Sequence, residues 1–296
     1  MTLILTSMLF VPGGDERKLA KLDTLRAPAL ILDLEDAVAE SRKPAARRMV
    51  AAALAEATTR VPLWVRVNPS GPEATVADLD AVVGPRLAGV VLPKVESAAE
   101  VNRVDWYLSA LEAERGLPAG SVHLMANIES VAGLAHTEEI AAASSRLECL
   151  IFGAGDFSLD AGLDWPAEGG LSPLVLAAKQ RLVLASRAAG LLPPHDGVYP
   201  MFRDHDGLRA EAEQAQAIGM FGKHAVHPEQ IPVIDAVFTP SDARLRRAQE
   251  IVDAFDASES GGVGNIDVGG QFIDYPVAHR ARALLELAAG LQGVDA

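Results

Sequence analysis

Charged side chains stand near the ends of several short apolar runs of this sequence. Glu129 closes the run that begins at Ser121, and Asp156 follows the segment "ECLIFGAG". Carboxylates that converge resist joint ionisation unless a cation neutralises them. Because the chain has one cysteine and no histidine pair at ligand spacing, the hard ion Mg²⁺ is favoured over Zn²⁺. We therefore predict that Glu129 and Asp156 hold Mg²⁺, although either one could instead cap the helix that follows it.

Eight short apolar runs must position these residues, and they alternate with longer amphipathic segments. The runs begin at Met8, Pro28, Pro62, Ala88, Ser121, Glu148, Pro193 and Gly219. This alternation predicts a parallel sheet with crossover helices, and eight strand–helix units predict a (β/α)8 TIM barrel over residues 1–240. Catalytic residues of such barrels come from the C-terminal ends of several strands. The seventh run is the weakest prediction, because its prolines and His195 are unusual in a central strand.

Polar residues end most of the other runs as well. They are Glu35, Asp36, Arg66, Asn68, Lys94, Lys223, His224 and His227. If the barrel forms, these side chains meet Glu129 and Asp156 at one face of it. The sequence therefore predicts a polar site at the mouth of the barrel.

The pattern changes after Ser241. Two amphipathic segments are separated by "DASESGGVGNIDVGGQF", which is rich in glycine and serine. This stretch has no preceding strand and no P-loop spacing, so it is predicted to be an irregular connector and not a phosphate-binding loop. Residues 241–296 are accordingly predicted to form a C-terminal helical lid with a glycine-rich hinge.

Composition limits the class of protein. The chain has 296 residues, is 49% hydrophobic and carries a net charge of −14, so it can bury one large core and has no overall electrostatic attraction for nucleic acid or an anionic membrane. No apolar run is long enough to span a bilayer, and the first residues lack the pattern of a secretory signal, so we expect a cytoplasmic protein. Cys149 lies in an apolar run and is predicted to be a buried hydrophobe without a disulfide partner.

Eight motifs carry a wider resemblance over nearly the whole chain. They are "MLFVPG", "LDLEDAV", "VRVN", "LPKVES", "NIES", "FGAGDFSLD", "GKHAVHPEQI" and "FIDYPVAHRA". In this order they resemble the citrate lyase β-subunit and malyl-CoA lyase family, part of the HpcH/HpaI aldolase superfamily of Mg²⁺-dependent barrels. Two departures concern the thioester-binding details. The family usually has an arginine shortly before the "LFVPG" segment, and Thr6 is the residue nearest to that position here. The segment "HDGVYPMFRD" carries a histidine and a phenylalanine where smaller or aliphatic residues are expected.

The resemblance implies a Mg²⁺-dependent carbon–carbon lyase. Such an enzyme cleaves or forms a carboxylated 3-hydroxyacyl thioester of the citryl-, malyl- or citramalyl-CoA type, and the products are an acetyl or propionyl thioester and a 2-oxo acid. Arg66 is implied to stabilise the charge that develops on the thioester oxygen. Glu35 and Asp36 are implied to hold metal-bound waters or Arg66, although Asp36 could equally cap the next helix.

Two further roles depend on the resemblance. Asp274 in "FIDYP" is implied to transfer a proton, commonly from a neighbouring subunit of a homotrimer, whereas the sequence alone favours a helix cap before Pro276. For the CoA phosphates the predicted partners are four basic residues, although exposed basic residues are more often simply solvated. These four are Arg17, Lys18, Lys21 and Lys223.

Three alternatives to a freestanding CoA-thioester lyase remain. The chain could be a subunit of a citrate lyase complex that acts on thioesters of an acyl-carrier protein. It could be a pyruvate aldolase that uses no thioester, which would not need Asp274 or the basic first helix. It could also be a catalytically silent barrel used for binding, which the combination of Arg66, Glu129, Asp156 and Asp274 disfavours.

Overall fold

The computed structural model describes residues 5–69, 71, 73–166 and 172–292. Eight parallel strands close into a barrel in chain order, and the eighth pairs with the first. The strands are β1 (Ser7–Pro12), β2 (Ala29–Asp33), β3 (Leu63–Arg66), β4 (Leu87–Leu92), β5 (His123–Ile128), β6 (Leu147–Phe152), β7 (His195–Asp196) and β8 (Lys223–Ala225). The predicted (β/α)8 barrel is confirmed.

Helices connect successive strands and cover the outside of the barrel, as parallel connections require. They are α1 (Glu16–Leu19), α2 (Lys43–Glu56), α3 (Ala74–Val82), α4 (Ala98–Arg115), α5 (Val131–Ala135), α6 (Thr137–Ala141), α7 (Ala154–Asp160), α8 (Pro173–Ala189), α9 (His205–Ala217) and α10 (Ile231–Phe238). Local sequence sets their ends. For example, α4 begins at a capping box in which Ser97 and Glu100 satisfy each other's backbone N–H groups. In the part of the chain that the structure describes, no helix has both the length and the apolar character needed to cross a bilayer.

The core lies where strands are covered on both faces. Every residue of β2 is buried, which matches its continuous apolar sequence and the burial of parallel strands by surrounding helices. Cys149 in β6 is also fully buried, and burial raises the pKa of its thiol to about 12. The thiol is therefore protonated at neutral pH, and Cys149 is the buried hydrophobe that the sequence predicts.

Strand β7 has only two residues, in keeping with its weak sequence pattern, and ion pairs hold it in place. Lys179 and Lys223 both bond to Asp196, at 2.7 and 2.6 Å. Lys223 also bonds to Glu211 at 2.6 Å. We call these four residues the buried charge cluster. Its two ammonium groups and two carboxylates balance one another, as the burial of charge requires.

The chain divides into two compact units between Asp235 and Ala236, within α10. The second unit contains α11 (Asp242–Ser260), β9 (Ile266–Val268), β10 (Gln271–Ile273) and α12 (Tyr275–Gln292). Its core residues come from both long helices and from β10. They are Ala248, Ile251, Phe255, Ile273, Ala278 and Ala281.

The expectation that "DASESGGVGNIDVGGQF" forms no regular element is wrong. Helix α11 continues to Ser260, and β9 pairs with β10 in an antiparallel hairpin. The hairpin loop consists of Gly269 and Gly270, with φ of 65° and 82°. Two-residue hairpin loops favour positive φ at both positions, which glycine adopts without strain. The glycines therefore mark a tight turn.

Candidate active site

Arg66 is held in a fixed orientation at the C-terminal end of β3. It is the register partner of Asp33 on β2, and its Nε and Nη2 each donate to an Asp33 oxygen at 2.7 Å. Asp33 also accepts the backbone N–H groups of Glu35 and Ala37, at 3.0 and 3.1 Å. The Arg66 guanidinium lies 4.7 Å from the ring centroid of Phe10. Bidentate pairing and ring contact together pre-organise the cation.

Glu35 bridges Arg66 to a second cation, Lys94. One Glu35 oxygen lies 2.9 Å from Arg66 Nη1, and the other lies 2.9 Å from Lys94 Nζ. Burial raises the pKa of Glu35, although the positive charges of Arg66 and Lys94 act in the opposite direction. Asp36 is half exposed and lies 3.6 Å from Lys94 Nζ and 3.9 Å from Arg66 Nη1. Both carboxylates therefore lie beside the two cations of the site.

Lys94 is a member of the site to which the sequence assigned no role. It follows β4 with a φ of 50°, and among the described non-glycine residues it alone has a positive φ. Its backbone N–H donates to Glu129 Oε1 at 2.7 Å, and its Nζ lies 4.0 Å from Asp156. A non-glycine residue in the left-handed region is often found at a functional site. The signal available in the sequence was its place at a strand end, in "VVLPK".

Glu129, directly after β5, is buried and lies close to other carboxylates. Asn127 Nδ2 donates to its Oε2 at 2.6 Å. Burial raises the pKa of Glu129 to about 8, and the negative charges of Glu35 and Asp156 contribute to the increase. The ionised form is therefore disfavoured in the absence of an added cation.

The glycine that ends β6 makes room for this carboxylate. A Cβ atom at Gly153 would lie 2.3 Å from Glu129 Oε2, much closer than non-bonded atoms approach. Three residues later, Asp156 lies in the first turn of α7 with a side chain that is 41% exposed. The segment "FGAGD" thus leaves room for the Glu129 carboxylate and supplies the Asp156 carboxylate.

A cavity of about 730 Å³ opens at these strand ends. Its lining includes Arg66, Asn127, Glu129, Asp156 and His224. Within the described residues, Asn127 Oδ1 and His224 Nε2 are buried without a hydrogen-bond partner. Buried polar atoms normally have a partner, so these two point to a ligand or to water in the cavity. Burial lowers the pKa of His224 well below its usual value, so its imidazole is neutral.

The donor set fits Mg²⁺. The charged residues at the mouth, which we call the mouth cluster, are Asp33, Glu35, Asp36, Arg66, Lys94, Glu129 and Asp156. It has three more carboxylates than cations. Among the described residues, no group of three or more His, Cys, Asp or Glu is arranged to hold a metal by itself. Mg²⁺ usually takes one or two protein carboxylates and completes its coordination with water and substrate, so Glu129 and Asp156 suffice.

The basic residues predicted to bind phosphates occupy different environments. Lys18 and Lys21, in and after α1, line the cavity, whereas Arg17 is exposed beside them. Lys223 has no exposed surface, and its ammonium group is bound by Asp196 and Glu211. The predicted phosphate contact of Lys223 is therefore not supported, because a phosphate could reach this ammonium only by breaking the buried charge cluster.

Asp274 occupies the position before α12 in the second unit. Its Oδ1 accepts the backbone N–H of Val277 at 3.3 Å, and its carbonyl accepts the N–H of Ala278 at 2.9 Å. This is the capping geometry that the sequence alone favours. The implied proton-transfer role stays a prediction. Asp36, for which a cap was the alternative, is not the cap of the next helical turn, which starts at Glu40 after Ala39.

Comparisons with known proteins identify the family of this chain. The model of the HpcH/HpaI aldolase/citrate lyase family matches residues 6–228. The citrate lyase subunit beta of Haemophilus influenzae is 34% identical over 283 residues, covering 95% of this chain and 96% of the relative. The L-malyl-CoA/beta-methylmalyl-CoA lyase of Rhodobacter capsulatus is 34% identical over 302 residues, covering 95% and 93%.

Solved structures are also similar. The protein CitE of Mycobacterium tuberculosis, in complex with magnesium, acetoacetate and coenzyme A, aligns with a TM-score of 0.76 and 30% identity over 97% of this chain and 98% of that one. A citrate lyase beta subunit of the same organism, complexed with oxaloacetate and magnesium, aligns with a TM-score of 0.65 and 31% identity over 80% and 98%. The chain therefore belongs to the HpcH/HpaI aldolase/citrate lyase family and is a carbon–carbon lyase.

Proposed function

We propose that this lyase cleaves or forms carboxylated 3-hydroxyacyl thioesters of the citryl-, malyl- or citramalyl-CoA type. The observation that carries the proposal is that the cavity is lined by the carboxylates of Glu129 and Asp156 together with the Arg66 guanidinium. Carboxylates at adjacent strand ends suit a hard metal ion, and a fixed guanidinium suits a developing oxyanion. The relatives named as citrate lyase and malyl-CoA lyase subunits support this substrate class.

Cleavage requires stabilisation at each end of the broken bond. Glu129 and Asp156 would hold Mg²⁺, which supplies Lewis-acid polarisation and a template for the 2-oxo-acid half. As the hydroxyl loses its proton to water and its carbon becomes the carbonyl of the 2-oxo acid, the electrons of the broken carbon–carbon bond move to the other half and create a thioester enolate. We assign the stabilisation of this enolate to Arg66. Burial alone lowers the pKa of Arg66, but its bonds to Asp33 raise the pKa overall, so the guanidinium stays charged.

The remaining residues of the mouth cluster have positioning roles. Asp33 and Glu35 fix the plane of the Arg66 guanidinium through bonds of 2.7 to 2.9 Å. Lys94 joins Glu35 to Glu129 through its ammonium and its backbone N–H. A residue that orients a metal ligand or an oxyanion donor typically affects activity by about 10- to 100-fold.

Lys18 and Lys21 are the proposed partners for the phosphates of the thioester carrier. Both line the cavity on the side of β1, so an anionic carrier that enters there would meet their ammonium groups. Arg17, exposed on the same short helix, can add to the local positive charge.

Asp274 is the proposed proton-transfer group for the enolate carbon. The proposal rests on the family resemblance and on the need for such a group, since a capping carboxylate can also exchange protons. The test is Asp274→Asn. Asparagine caps a helix about as well as aspartate, so a purely structural Asp274 predicts unchanged turnover, whereas a proton-transfer role predicts a loss of about 100-fold or more with substrate binding retained.

We also propose that the protein is a cytoplasmic homo-oligomer, a trimer or a multiple of three, in which Asp274 serves the site of a neighbouring subunit. Mixing an Asp274→Asn chain with an Arg66→Ala chain tests this arrangement. Mixed oligomers would contain some sites with both groups intact and would regain activity. No recovery in oligomers shown to have exchanged subunits would contradict the shared site.

The direct test of the reaction is a coupled assay across citryl-, malyl- and citramalyl-CoA, with and without Mg²⁺. We expect Mg²⁺-dependent release of a 2-oxo acid from at least one of the three. The width of the cavity should decide which one, although a single methyl group is discriminated by only about 1–3 kcal/mol. If none is cleaved and none forms from its products, the proposal fails.

A second candidate is a subunit that uses acyl-carrier-protein thioesters within a citrate lyase complex. The similarity to the citrate lyase subunit beta of Haemophilus influenzae, 34% identity over 283 residues, favours keeping it. Activity of the isolated protein on CoA thioesters separates the two candidates, because a dependent subunit requires its complex and its carrier protein.

A further inference from the structure

One histidine in the inner wall of the cavity has no role in the proposed chemistry. His224 is the middle residue of β8, is only 2% exposed and lines the cavity. Within the described residues, its Nε2 has no hydrogen-bond partner. A buried polar atom that stays unpaired is costly. The wall therefore keeps a hydrogen-bonding group that is suited to a ligand in the cavity.

Two aromatic rings hold the His224 side chain in place. The ring centroid of Phe10 lies 5.6 Å away with the planes inclined by 73°, and that of His195 lies 5.6 Å away with the planes inclined by 88°. Both are edge-to-face contacts, which aromatic pairs favour. Phe10 also packs on the Arg66 guanidinium at 4.7 Å. The imidazole is therefore pre-organised on the same side of the barrel as Arg66.

The electrostatic surroundings of His224 favour a negatively charged ligand group. Burial keeps the imidazole neutral, and the positive charges of Arg66 and Lys223 lower its pKa further, although Asp196 acts in the opposite direction. A neutral imidazole can still donate one N–H. Hydrogen bonds to an ionised acceptor are stronger than those between neutral groups. An N–H donor beside two cations therefore suits a carboxylate.

The candidate substrates differ in one substituent of the carbon that bears the hydroxyl. This substituent is a carboxymethyl group in a citryl thioester, a methyl group in a citramalyl thioester and a hydrogen atom in a malyl thioester. The proposed reaction assigns the other polar groups to the Mg²⁺ site and to Arg66. Asn127, whose Oδ1 also lacks a partner among the described residues, is bonded to Glu129 and so belongs to the metal side. The carboxymethyl carboxylate is thus the group left for His224.

We propose that His224 is a specificity-determining residue that donates a hydrogen bond to the carboxymethyl carboxylate of a citryl thioester. This inference rests on the proposed reaction and chooses among its three substrates. The width of a pocket discriminates weakly between small substituents, whereas a wall that bonds a polar group rejects an analogue that leaves its own polar atom unpaired. The protein should therefore prefer a citryl thioester to a citramalyl thioester.

The kinetic test measures kcat/KM for citryl-CoA and citramalyl-CoA in the parent protein and in three variants. His224→Phe keeps a ring but has no donor, so kcat/KM for citryl-CoA should fall about 10- to 150-fold, while that for citramalyl-CoA should stay unchanged or rise. His224→Gln places an amide N–H near the position of Nε2 and should keep most of the preference. His224→Asn is one methylene shorter and should lose the preference, which tests the inference even if His224→Phe does not fold.

The matched control is His123→Phe. His123 begins β5 and pairs with Glu148 at 2.9 Å, at the N-terminal end of the strand, whereas the cavity opens at the C-terminal ends. The ratio of the two kcat/KM values should therefore equal that of the parent. An equal fall with both thioesters in His224→Phe would place His224 at a group that both share and overturns the inference. A parent without preference for citryl-CoA, or an unchanged ratio in both His224→Phe and His224→Asn, also overturns it.

A binding measurement separates this inference from the proposed reaction. Oxaloacetate and pyruvate differ by the same carboxymethyl and methyl groups, and Trp165 in the cavity wall allows titration by tryptophan fluorescence in the presence of Mg²⁺. If no thioester is cleaved, but the parent binds oxaloacetate more tightly than pyruvate and His224→Phe removes the difference, the assignment of His224 stands and the proposed reaction fails. If parent and His224→Phe bind oxaloacetate equally, the assignment fails whatever the activity.

Discussion

The mouth cluster and the buried charge cluster belong to the same barrel, but their charges are arranged differently. In the buried charge cluster Asp196 ends β7 and Lys223 begins β8, whereas Lys179 and Glu211 lie on helices α8 and α9. In the buried cluster, Lys179 and Lys223 are fully enclosed and meet the carboxylates of Asp196 and Glu211. The buried charge cluster therefore has equal numbers of positive and negative groups. In the mouth cluster the carboxylates outnumber the cations, and burial leaves Glu129 with a pKa of about 8.

This difference separates a structural use of charge from a functional one. A balanced cluster holds short strand β7 in the barrel and has no free charge to offer a ligand. An unbalanced cluster that lines a cavity is less stable alone, and the binding of a cation relieves its repulsion. The comparison therefore predicts that substitutions in the two clusters act on different properties of the protein.

The largest effect on turnover is expected for Glu129→Gln. Loss of this ligand charge removes Lewis-acid stabilisation worth several kcal/mol, so turnover at saturating Mg²⁺ should fall about 1,000-fold. The Asn127 amide can rotate so that its unpaired Oδ1 accepts from the new side chain. The melting temperature of the metal-free protein should therefore stay unchanged or rise. A large loss of melting temperature with unchanged Mg²⁺ affinity would show that Glu129 is structural.

Asp196→Asn, in the buried charge cluster, should instead lower the stability of the protein. Removing this carboxylate leaves two buried lysines undercompensated, so the free energy of unfolding should fall by about 3–5 kcal/mol. Urea unfolding at 25 °C measures it. As a control, Glu138→Gln removes an exposed ion pair with Arg181 and should cost less than about 1 kcal/mol. A similarly small cost for Asp196→Asn would show that the buried charges do not hold β7.

A smaller effect on the mouth cluster is expected for Gly153→Ala. Its φ of −89° suits alanine, but the new Cβ would lie 2.3 Å from Glu129 Oε2 and 2.4 Å from Glu129 Cβ. The Glu129 carboxylate and the backbone that carries it must therefore both shift. Mg²⁺ affinity and turnover should fall about 10- to 100-fold. Gly14→Ala is the matched control, because its Cβ would meet Val38 at an ordinary 3.6 Å. Equal activity in the two variants would contradict the packing of Gly153 against Glu129.

The smallest effect, taken over one pH unit, is the pH dependence of Mg²⁺ binding. Burial raises the pKa of Glu129 to about 8 in the metal-free protein, so Mg²⁺ must displace a proton below that pH. Mg²⁺ affinity should rise by at most about tenfold per pH unit up to about pH 8 and then level off. The Glu129 contribution to metal-free stability has the opposite trend and is lost as pH rises from about 4.5 to about 8, because the folded state binds more protons over that range. Calorimetric titration of Mg²⁺ measures the slope, and Glu129→Gln should abolish it.

Much of the fold was predictable because its signals are local. Alternation of apolar runs and amphipathic segments predicts the eight strands, and Glu129 and Asp156 follow two consecutive runs, so their approach depends only on adjacent strands pairing. The hairpin of β9 and β10 was missed, although Gly269 and Gly270 are a two-residue turn signal. Composition alone does not distinguish this hairpin from a flexible connector, because both are rich in glycine.

Lys94 and Lys223 show what only the tertiary structure decided. Both lysines belong to apolar runs of the sequence, and the family resemblance implies a ligand-binding role for Lys223 but not for Lys94. In the folded barrel, Lys94 bonds to Glu35 at the mouth, whereas Lys223 is sealed against Asp196 and Glu211. The apolar pattern predicts that a strand forms. The pairing register of β8 and the helices packed on it determine that Lys223 is enclosed, and the backbone turn after β4 places Lys94 at the mouth.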